Sequence, residues 1–334
     1  MIRLSESKGA VATTGTEIVL PASGTVRPIR TLSTRALSYI RAAKSEHTRA
    51  AYKTDWEAFE SWCGRMGMQA LPTDPATLIE YLSYLALDQR VSTIGRKMVS
   101  IAIQHKAHGY PSPTTDAQVR EMWQGIRNTL GTAAAGKAPI LIEDLRRMME
   151  IAPRHTQGWR DRALLLIGFA GAFRRSELVG LEFEDVSFVT EGVEVLLRRS
   201  KTDQEGAGRK VAIPYGSRLD TCPVRTLQTW IEVSRITGGP LFRAVNKGGT
   251  VGREALSDKA VARIVKKYVE AIGLDPKRYG GHSLRAGLAT AAAKAGAPEP
   301  AIMKQTGHKS VEMVRRYVRD GNLWRDNAAT YVGL

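Results

Sequence analysis

The sequence has very few cysteines, since Cys63 and Cys222 are the two among 334 residues. They are far apart and match no metal-ligand spacing, which excludes a disulfide framework and a zinc site of the usual kind. So little cysteine is typical of a reducing compartment. We therefore expect a cytoplasmic protein that uses no metal.

Long hydrophobic runs are also missing. No segment approaches the roughly 18 consecutive apolar residues that a membrane helix requires, so no membrane partner is expected. The first thirty residues lack the apolar core of a signal peptide, because Glu17 and a Thr/Gly-rich stretch interrupt it. We interpret residues 1–30 as a disordered tail.

Acidic side chains are scarce relative to basic ones. The chain has 49 Lys and Arg against 33 Asp and Glu, which gives a net charge of +16. The excess is greatest in residues 138–334, with 32 basic and 22 acidic side chains. Such a charge says little about the fold but favours a polyanionic partner, most often nucleic acid. By itself it is equally compatible with a DNA-binding protein that catalyses nothing.

A nucleotide-binding loop is missing as well, despite one partial match. In GTAAAGKAPI, Gly131, Gly136 and Lys137 have phosphate-loop spacing. However, Ala138 stands where a Ser or Thr would meet magnesium, and the preceding segment is predicted to be a helix instead of a strand. We interpret residues 132–138 as a small, flexible linker between two domains, and we expect no cofactor.

The pattern of residues 31–131 is helical throughout. Ser45 can cap a first helix, and Asp74 followed by Pro75 can open a second. A third helix is predicted to open at Ser92, and a further one follows the proline-bounded loop PSPTTD. Four or five helices in about a hundred residues predict a compact bundle.

Residues 139–321 are predicted to be mostly helical with a small antiparallel sheet. The segments GVEVLLRRSK and RKVAIPY, separated by TDQEGAG, are typical of a hairpin. Helices are predicted over residues 143–149, 161–172, 257–272, 282–295, 299–306 and 310–319. The expected fold class is therefore mainly α: an N-terminal helical bundle and a largely helical second domain with a small sheet.

One tyrosine has an unusual setting near the C-terminus. In GHKSVEMVRRYVRD, Tyr317 follows Arg315 and Arg316 and precedes Arg319. The plain interpretation is an amphipathic helix that buries Tyr317 beside Val314 and exposes its arginines. The alternative is that Tyr317 is a nucleophile, because its surroundings favour a phosphate.

Attack of a tyrosine on a phosphodiester has definite requirements. A phenol with a pKa of about 10 has to lose its proton, the phosphorane needs cations, and the departing 5′ oxygen needs a proton. Two arginines, one or two histidines and a lysine would meet these needs without a metal. The chain offers such a set in Arg174, Lys201, His282, Arg285 and His308, with Glu177 three residues after Arg174.

Each of these residues also has an ordinary interpretation. Arg174 and Glu177, at the end of an apolar helix, have the i, i+3 spacing of a common helical ion pair. The same spacing of the pair in HSLRAG would suit a surface face, Lys201 would suit a solvated turn, and His308 would suit a helix end. Their combination in this order is what favours chemistry.

The ordered set resembles the tyrosine recombinase (phage integrase) family, which contains the Cre-like and Xer-like site-specific recombinases. FRRSELVGL, the hairpin lysine, HSLRAG and QTGHKSVEMVRRYV carry the resemblance, which extends over nearly the whole chain after residue 30. It implies a core-binding (SAM-like) helical domain over residues 31–131 and a catalytic domain over residues 139–321. It also implies that a tail helix, residues 322–334, docks on a neighbouring protomer.

The resemblance implies how the phosphate would be held. Arg174 and Arg285 would clamp the scissile phosphate, His308 would hydrogen-bond a non-bridging oxygen, and Glu177 would support the site. Arg175 departs from the family pattern, in which an apolar residue is common, and no chemistry is assigned to it.

It also implies how protons would move. Lys201 would protonate the leaving 5′ oxygen, and His282 would assist proton transfer at Tyr317 or orient the phosphate. Tyr317 would be left joined to a 3′ phosphate, and a 5′ hydroxyl of the partner duplex would then attack this link. Strands would thus be exchanged through a Holliday junction.

The partners implied are double-stranded DNA with inverted-repeat sites, a homotetramer assembled from monomers, and accessory DNA-bending proteins. The location implied is cytoplasmic and nucleoid-associated.

Two alternatives of function stay open: a type IB topoisomerase and a non-catalytic DNA-binding protein. Arg96, Lys97 and Gln104 would either contact bases or form a solvated face. The stripe Trp324, Ala328 and Tyr331 would either dock on a neighbour or fold back.

Overall fold

A computed structural model describes residues 33–35, 38–39, 43–132, 136–198, 208–321 and 332. The chain divides into two compact units, residues 1–134 and 135–334, with the boundary inside the predicted linker. The predicted N-terminal tail, residues 1–30, lies outside the described residues. None of the described helices is both long and apolar enough to cross a membrane.

The first unit contains the helices α1 (Glu46–Met66), α2 (Pro75–Ala86), α3 (Val91–Ala107) and α4 (Ala117–Leu130). A side-chain cap marks the start of α1, α2 and α4. Ser45, Asp74 and Asp116 each accept a hydrogen bond from a backbone N–H in the first turn of α1, α2 and α4. The third helix begins at Val91, so Ser92, which was predicted to open it, lies inside its first turn.

Aromatic residues on one face of α1 form the core of the first unit. Trp56, Phe59 and Trp62 are spaced three residues apart and are all buried. The ring centroid of Phe59 lies 4.9 Å from that of Tyr81 in α2, and Trp62 lies 5.0 Å from the same ring. This contact fixes α1 against α2.

A buried carboxylate on α1 holds two basic side chains of α3. Asp55 is 3% exposed, and its carboxylate lies 2.8 Å from Arg96 Nε and 3.8 Å from Lys97 Nζ. The Lys97 side chain is itself only 13% exposed. The interpretation of this face as merely solvated is therefore wrong for Lys97, because its charge balances a carboxylate inside the unit.

The second unit is mainly helical with two small antiparallel sheets. Its helices are α5 (Ile142–Ile151), α6 (Thr156–Ala170), α7 (Arg175–Val179), α8 (Pro223–Ser234), α9 (Asp258–Ala271), α10 (His282–Lys294), α11 (Glu299–Thr306) and α12 (Val311–Gly321). Its strands are β1 (Val186–Val189), β2 (Gly192–Leu197), β3 (Arg209–Pro214), β4 (Arg243–Val245) and β5 (Val251–Ala255). One sheet has the order β1-β2-β3, and the other pairs β4 with β5.

The helix α6 is the centre of the second unit. It is buried all round, and its residues 163–167 belong to a core that extends over the three-stranded sheet and the helices α8 and α9. It ends at Ala170, two residues before its predicted end, and Ala172 then adopts a left-handed conformation (φ 51°). Arg174 therefore lies beyond α6, in the turn that leads into α7, and the expectation that it ends the apolar helix is wrong.

The helix α10 packs closely against the segment that enters the second unit. The Ile140 N–H donates to the Ser283 carbonyl at 3.0 Å. A Cβ atom on Gly287 would lie 2.2 Å from the Ile140 carbonyl oxygen, so a glycine is required there for this approach. The glycine of HSLRAG thus holds the helix that carries Arg285 in place.

Candidate active site

The guanidinium of Arg174 is oriented by a carboxylate three residues later. The backbone N–H of Arg174 donates to Glu177 Oε2 at 2.9 Å, and its Nη1 donates to Glu177 Oε1 at 2.5 Å. Glu177 is buried, and the Arg174 side chain is 12% exposed. Glu177 therefore fixes both the backbone and the side chain of Arg174 by charge-assisted hydrogen bonds.

A second guanidinium, that of Arg285, comes from α10. It is 2% exposed, and its Nη1 donates to the Ala172 carbonyl at 2.8 Å. Its Nη2 is buried and has no hydrogen-bond partner in the part of the chain that the structure describes, which is unfavourable for a charged donor. Burial, with the nearby charge of Arg174, lowers the pKa of Arg285 to about 10, so it stays charged at neutral pH. A buried cation with a free donor favours an anionic ligand.

His308 follows the end of α11 and is held by the last residue of that helix. Its Nδ1 lies 2.8 Å from Thr306 Oγ1, which in turn lies 2.7 Å from the Ile302 carbonyl oxygen. The hydroxyl has one proton and the carbonyl can only accept, so Thr306 donates to Ile302 and accepts from His308 Nδ1–H. Neutral His308 therefore carries its proton on Nδ1 and leaves Nε2 unprotonated.

The protonation of His308 depends on the surrounding arginines. Burial, followed by the charges of Arg285, Arg174 and Arg209, lowers its pKa from 6.5 to about 4. The ring is thus uncharged at neutral pH. To donate from Nε2 to a phosphate oxygen, His308 would have to bind a second proton. A bound phosphate would favour this, because its charge offsets those of the arginines.

Tyr317 lies on α12 beside His308. Val314 on the same helix is fully buried, Tyr317 is half-buried against the same small apolar cluster, and Arg315 and Arg316 are exposed. These side chains follow the predicted amphipathic pattern, whereas the side chain of Arg319 lies outside the described residues. The Tyr317 ring also stacks on His308, with centroids 5.9 Å apart and planes inclined by 25°. This places the phenol next to the cluster of arginines, as a nucleophile would require.

The other predicted site residues are placed less directly. His282 is the first residue of α10 and is exposed, whereas Arg285 is buried. Lys201 lies outside the described residues, between the end of β2 at Leu197 and the start of β3 at Arg209. The tail residues Trp324, Ala328 and Tyr331 also lie outside the described residues.

One basic residue of this region was not found from the sequence. Arg209 opens β3, and it shares the inward face of that strand with Val211 and Ile213, which are buried. Its charge contributes to the lowered pKa of both Arg285 and His308. The available signal was the strand period of two, which puts Arg209 in phase with the apolar residues of RKVAIPY.

The lowered pKa of His308 predicts a pH-dependent stability. Because the folded pKa, about 4, lies below the unfolded value of 6.5, the unfolded chain binds more protons between these values. The free energy of unfolding that uncharged His308 contributes above pH 6.5 is therefore lost as the pH falls toward 4, by at most about 3 kcal/mol. Urea unfolding of wild type and His308→Gln at several pH values measures this loss. The variant should show a weaker pH dependence in this window, and identical slopes would contradict the assignment.

Comparison with known proteins shows extensive similarity in sequence. The profile described as "Phage integrase family" matches residues 140–322. The chain is 42% identical over 301 residues to an integrase/recombinase XerD homologue of Selenomonas ruminantium, across 89% of this chain and 88% of the relative. It is 27% identical over 302 residues to the recombinase Cre of Escherichia phage P1, across 84% and 86%.

The fold agrees with this similarity. A solved structure of the Tn1549 transposon integrase in complex with transposon right end DNA matches at a TM-score of 0.61 and 18% identity, covering 85% of this chain and 92% of that one. The predicted fold class, mainly helical with a small antiparallel sheet, is confirmed. The extent of the family match and the identity to the Selenomonas relative show that this chain belongs to the phage integrase family of tyrosine recombinases.

Proposed function

We propose that Tyr317 is the nucleophile with which this recombinase cleaves DNA, and that Arg174, Arg285 and His308 hold the scissile phosphate. The observation that carries the proposal is the stacking of Tyr317 on His308, beside a buried arginine with an unpaired nitrogen. Glu177 orients Arg174 and has no contact with substrate in this scheme. The arginines supply the positive charge that the phosphorane needs.

The proposed cleavage is a transesterification. The Tyr317 oxygen forms a bond to phosphorus, and the bond from phosphorus to the 5′ oxygen breaks. The phenol loses one proton, with His282 assisting, and the 5′ oxygen gains one from Lys201. One phosphodiester replaces another, so the step is close to balanced in free energy and reverses readily. Rejoining therefore needs no external energy source.

As a member of this family, the chain is a site-specific recombinase that cleaves and rejoins DNA, and DNA is its partner. The finer features are part of the proposal. Cleavage would leave a 3′-phosphotyrosyl link at inverted-repeat sites, and strands would be exchanged through a Holliday junction. A tetramer would assemble on DNA from free monomers, with accessory DNA-bending proteins. The protein would be cytoplasmic and associated with the nucleoid.

The division of labour along the chain is proposed in the same way. Residues 31–131 would form the core-binding domain, and residues 139–321 the catalytic domain, joined by the linker 132–138. The compact units, residues 1–134 and 135–334, support this division. The tail, residues 322–334, would dock on a neighbouring protomer.

Recombination is favoured over the two alternatives, because the relatives are recombinases along most of the chain. A plasmid carrying two copies of the DNA segment that the protein cleaves distinguishes them. Recombination yields deletion or inversion of the intervening DNA. A type IB topoisomerase would give only relaxed plasmid of unchanged sequence, and a non-catalytic binder would leave the plasmid intact.

Chemical rescue tests the role of Lys201 as the general acid. Lys201→Ala should slow cleavage by about 10²- to 10⁴-fold, because the 5′ alkoxide then leaves without a proton. A substrate with sulfur in place of the bridging 5′ oxygen should restore most of the rate, since a thiolate leaves without protonation. Lys247→Ala, which changes an exposed lysine between β4 and β5, is the control and should leave both rates unchanged. Equal loss on both substrates would contradict the role of Lys201 as the acid.

A further inference from the structure

Two buried guanidinium nitrogens in the second unit lack hydrogen-bond partners. Among its described residues, the buried side-chain nitrogens and oxygens without a partner are Arg285 Nη2 and Arg209 Nη2. Most buried polar groups are paired, and an unpaired donor on a cation carries a large desolvation cost. The proposed function accounts for Arg285, which clamps a phosphate. Arg209 requires a separate explanation.

The side chain of Arg209 joins β3 to the end of α11. Its Nη1 lies 3.3 Å from the Lys304 carbonyl oxygen and 3.2 Å from that of Gln305, which are among the last carbonyls of the helix. Gly307, with φ 66°, follows immediately, and a Cβ atom there would lie 2.9 Å from Arg209 Nε. Arg209 is thus packed against the turn that leads into His308, and only a glycine permits both the conformation and the contact.

The charge of Arg209 acts within the candidate active site. Burial lowers the pKa of Arg209, the carboxylate of Glu177 opposes this, and the charge of Arg174 adds to it. The charge of Arg209 in turn contributes to the lowered pKa of Arg285 and of His308. Three guanidinium groups therefore share one region, and the carboxylate of Glu177 balances only part of their charge. An anionic ligand would relieve this repulsion.

We propose that Arg209 is a third arginine of the phosphate site: its Nη2 donates to an oxygen of the scissile phosphate while its Nη1 holds the end of α11. The proposal rests on the proposed function, because it concerns the same phosphate. It extends the site to a residue of β3 that neither the spacing of the motifs nor the family resemblance assigns. A purely structural Arg209 would cap α11 through Nη1 and leave Nη2 without a purpose.

Single-turnover cleavage of a nicked duplex carrying the DNA segment that the protein cleaves tests the proposal. Arg209→Gln removes the charge and keeps a polar side chain, and Arg209→Lys keeps the charge without the planar fork. Lys210→Gln is the matched control, since Lys210 is the next residue of β3, exposed, and paired with Glu194 at 3.0 Å. Circular dichroism and thermal unfolding show whether each variant is folded.

The substrate is prepared with the ordinary phosphodiester and with each diastereomer of a neutral methylphosphonate at the scissile position. Arg209→Gln should cleave the phosphodiester about 10²-fold more slowly than wild type. Its deficit should shrink to less than about tenfold on at least one methylphosphonate, because a neutral phosphorus centre needs one cation less. Arg209→Lys should lie between wild type and Arg209→Gln, and Lys210→Gln should equal wild type on every substrate.

Other outcomes overturn the proposal. A deficit of equal size on all substrates would make Arg209 a structural cap, and no deficit would remove it from the site. A wild type that fails to cleave the phosphodiester would instead contradict the assignment of Tyr317. In the free protein, inorganic phosphate is the probe, followed through the ring resonances of His308 at constant ionic strength. Arg209→Gln should weaken phosphate binding about tenfold, whereas equal affinities would contradict the contact.

Discussion

Replacing Tyr317 by phenylalanine is expected to abolish the covalent protein–DNA intermediate completely while DNA binding stays within about twofold of wild type. The substitution removes one oxygen atom. The ring that stacks on His308 and packs against the small apolar cluster of α10, α11 and α12 is kept, so the fold should not change. Denaturing gels of reactions on a nicked duplex measure the covalent species, and mobility-shift titrations measure binding.

A matched variant separates the nucleophile from other phenols. Tyr279→Phe removes a hydroxyl from a buried tyrosine that lies just before α10, and burial raises the pKa of that phenol. This control should form the covalent species at the wild-type level. Covalent product from Tyr317→Phe, or equal loss of binding and cleavage in a folded protein, would show that Tyr317 is not the nucleophile.

Replacing Arg285 by glutamine should lower the single-turnover cleavage rate by about 10³-fold or more. Arg285 is 2% exposed, and its Nη2 has no hydrogen-bond partner among the described residues, so its charge is available to the phosphorane in a region that excludes water. Glutamine is too short to make the hydrogen bond that Arg285 Nη1 donates to the Ala172 carbonyl. Thermal stability should nevertheless be retained, because the substitution also removes a buried cation with an unpaired donor.

The control for Arg285 is another arginine of the same region. Arg175 is 39% exposed, and its Nη2 lies 3.7 Å from Asp258 Oδ2. Exposed pairs of this kind contribute little, and no chemistry is assigned to Arg175. Arg175→Gln, which has the same net charge as Arg285→Gln, should cleave within about threefold of wild type. If both variants lost activity equally, the effect would be one of net charge on DNA binding and not of a phosphate clamp.

The elements predicted best from the sequence are those with strong local signals. The cap at Ser45, and Asp74 with Pro75, start α1 and α2 where expected, because these hydrogen bonds involve neighbours in sequence. The elements that were not predicted have weak local signals. The strand β1 has four residues, and the helix α8 begins with Pro223 but has no side-chain cap from Cys222. Its helical state depends on burial of Trp230 in the core.

The candidate site shows the same limit. Motif order places Arg174, Arg285, His308 and Tyr317 in one family pattern, and the structure brings them into one region. The role proposed for Arg209 depends on the contact between β3 and the end of α11. The two residues in contact, Arg209 and Lys304, are 95 residues apart along the chain. The tautomer of His308 depends on a hydroxyl whose second partner is a helix carbonyl. No pattern of residue spacing in the sequence predicts either contact.

The most direct test of the central claim identifies the atoms joined by the reaction. The purified protein is incubated with fragmented DNA of its own replicon, and the reaction is stopped with detergent. The fragments linked to protein are sequenced, and their digested linkage is analysed by mass spectrometry. We expect a nucleotide joined through its 3′ phosphate to Tyr317, at one inverted-repeat site. A link through a 5′ phosphate or to another residue would contradict the proposed mechanism. Links to Tyr317 scattered over unrelated sequences would contradict site-specific recombination.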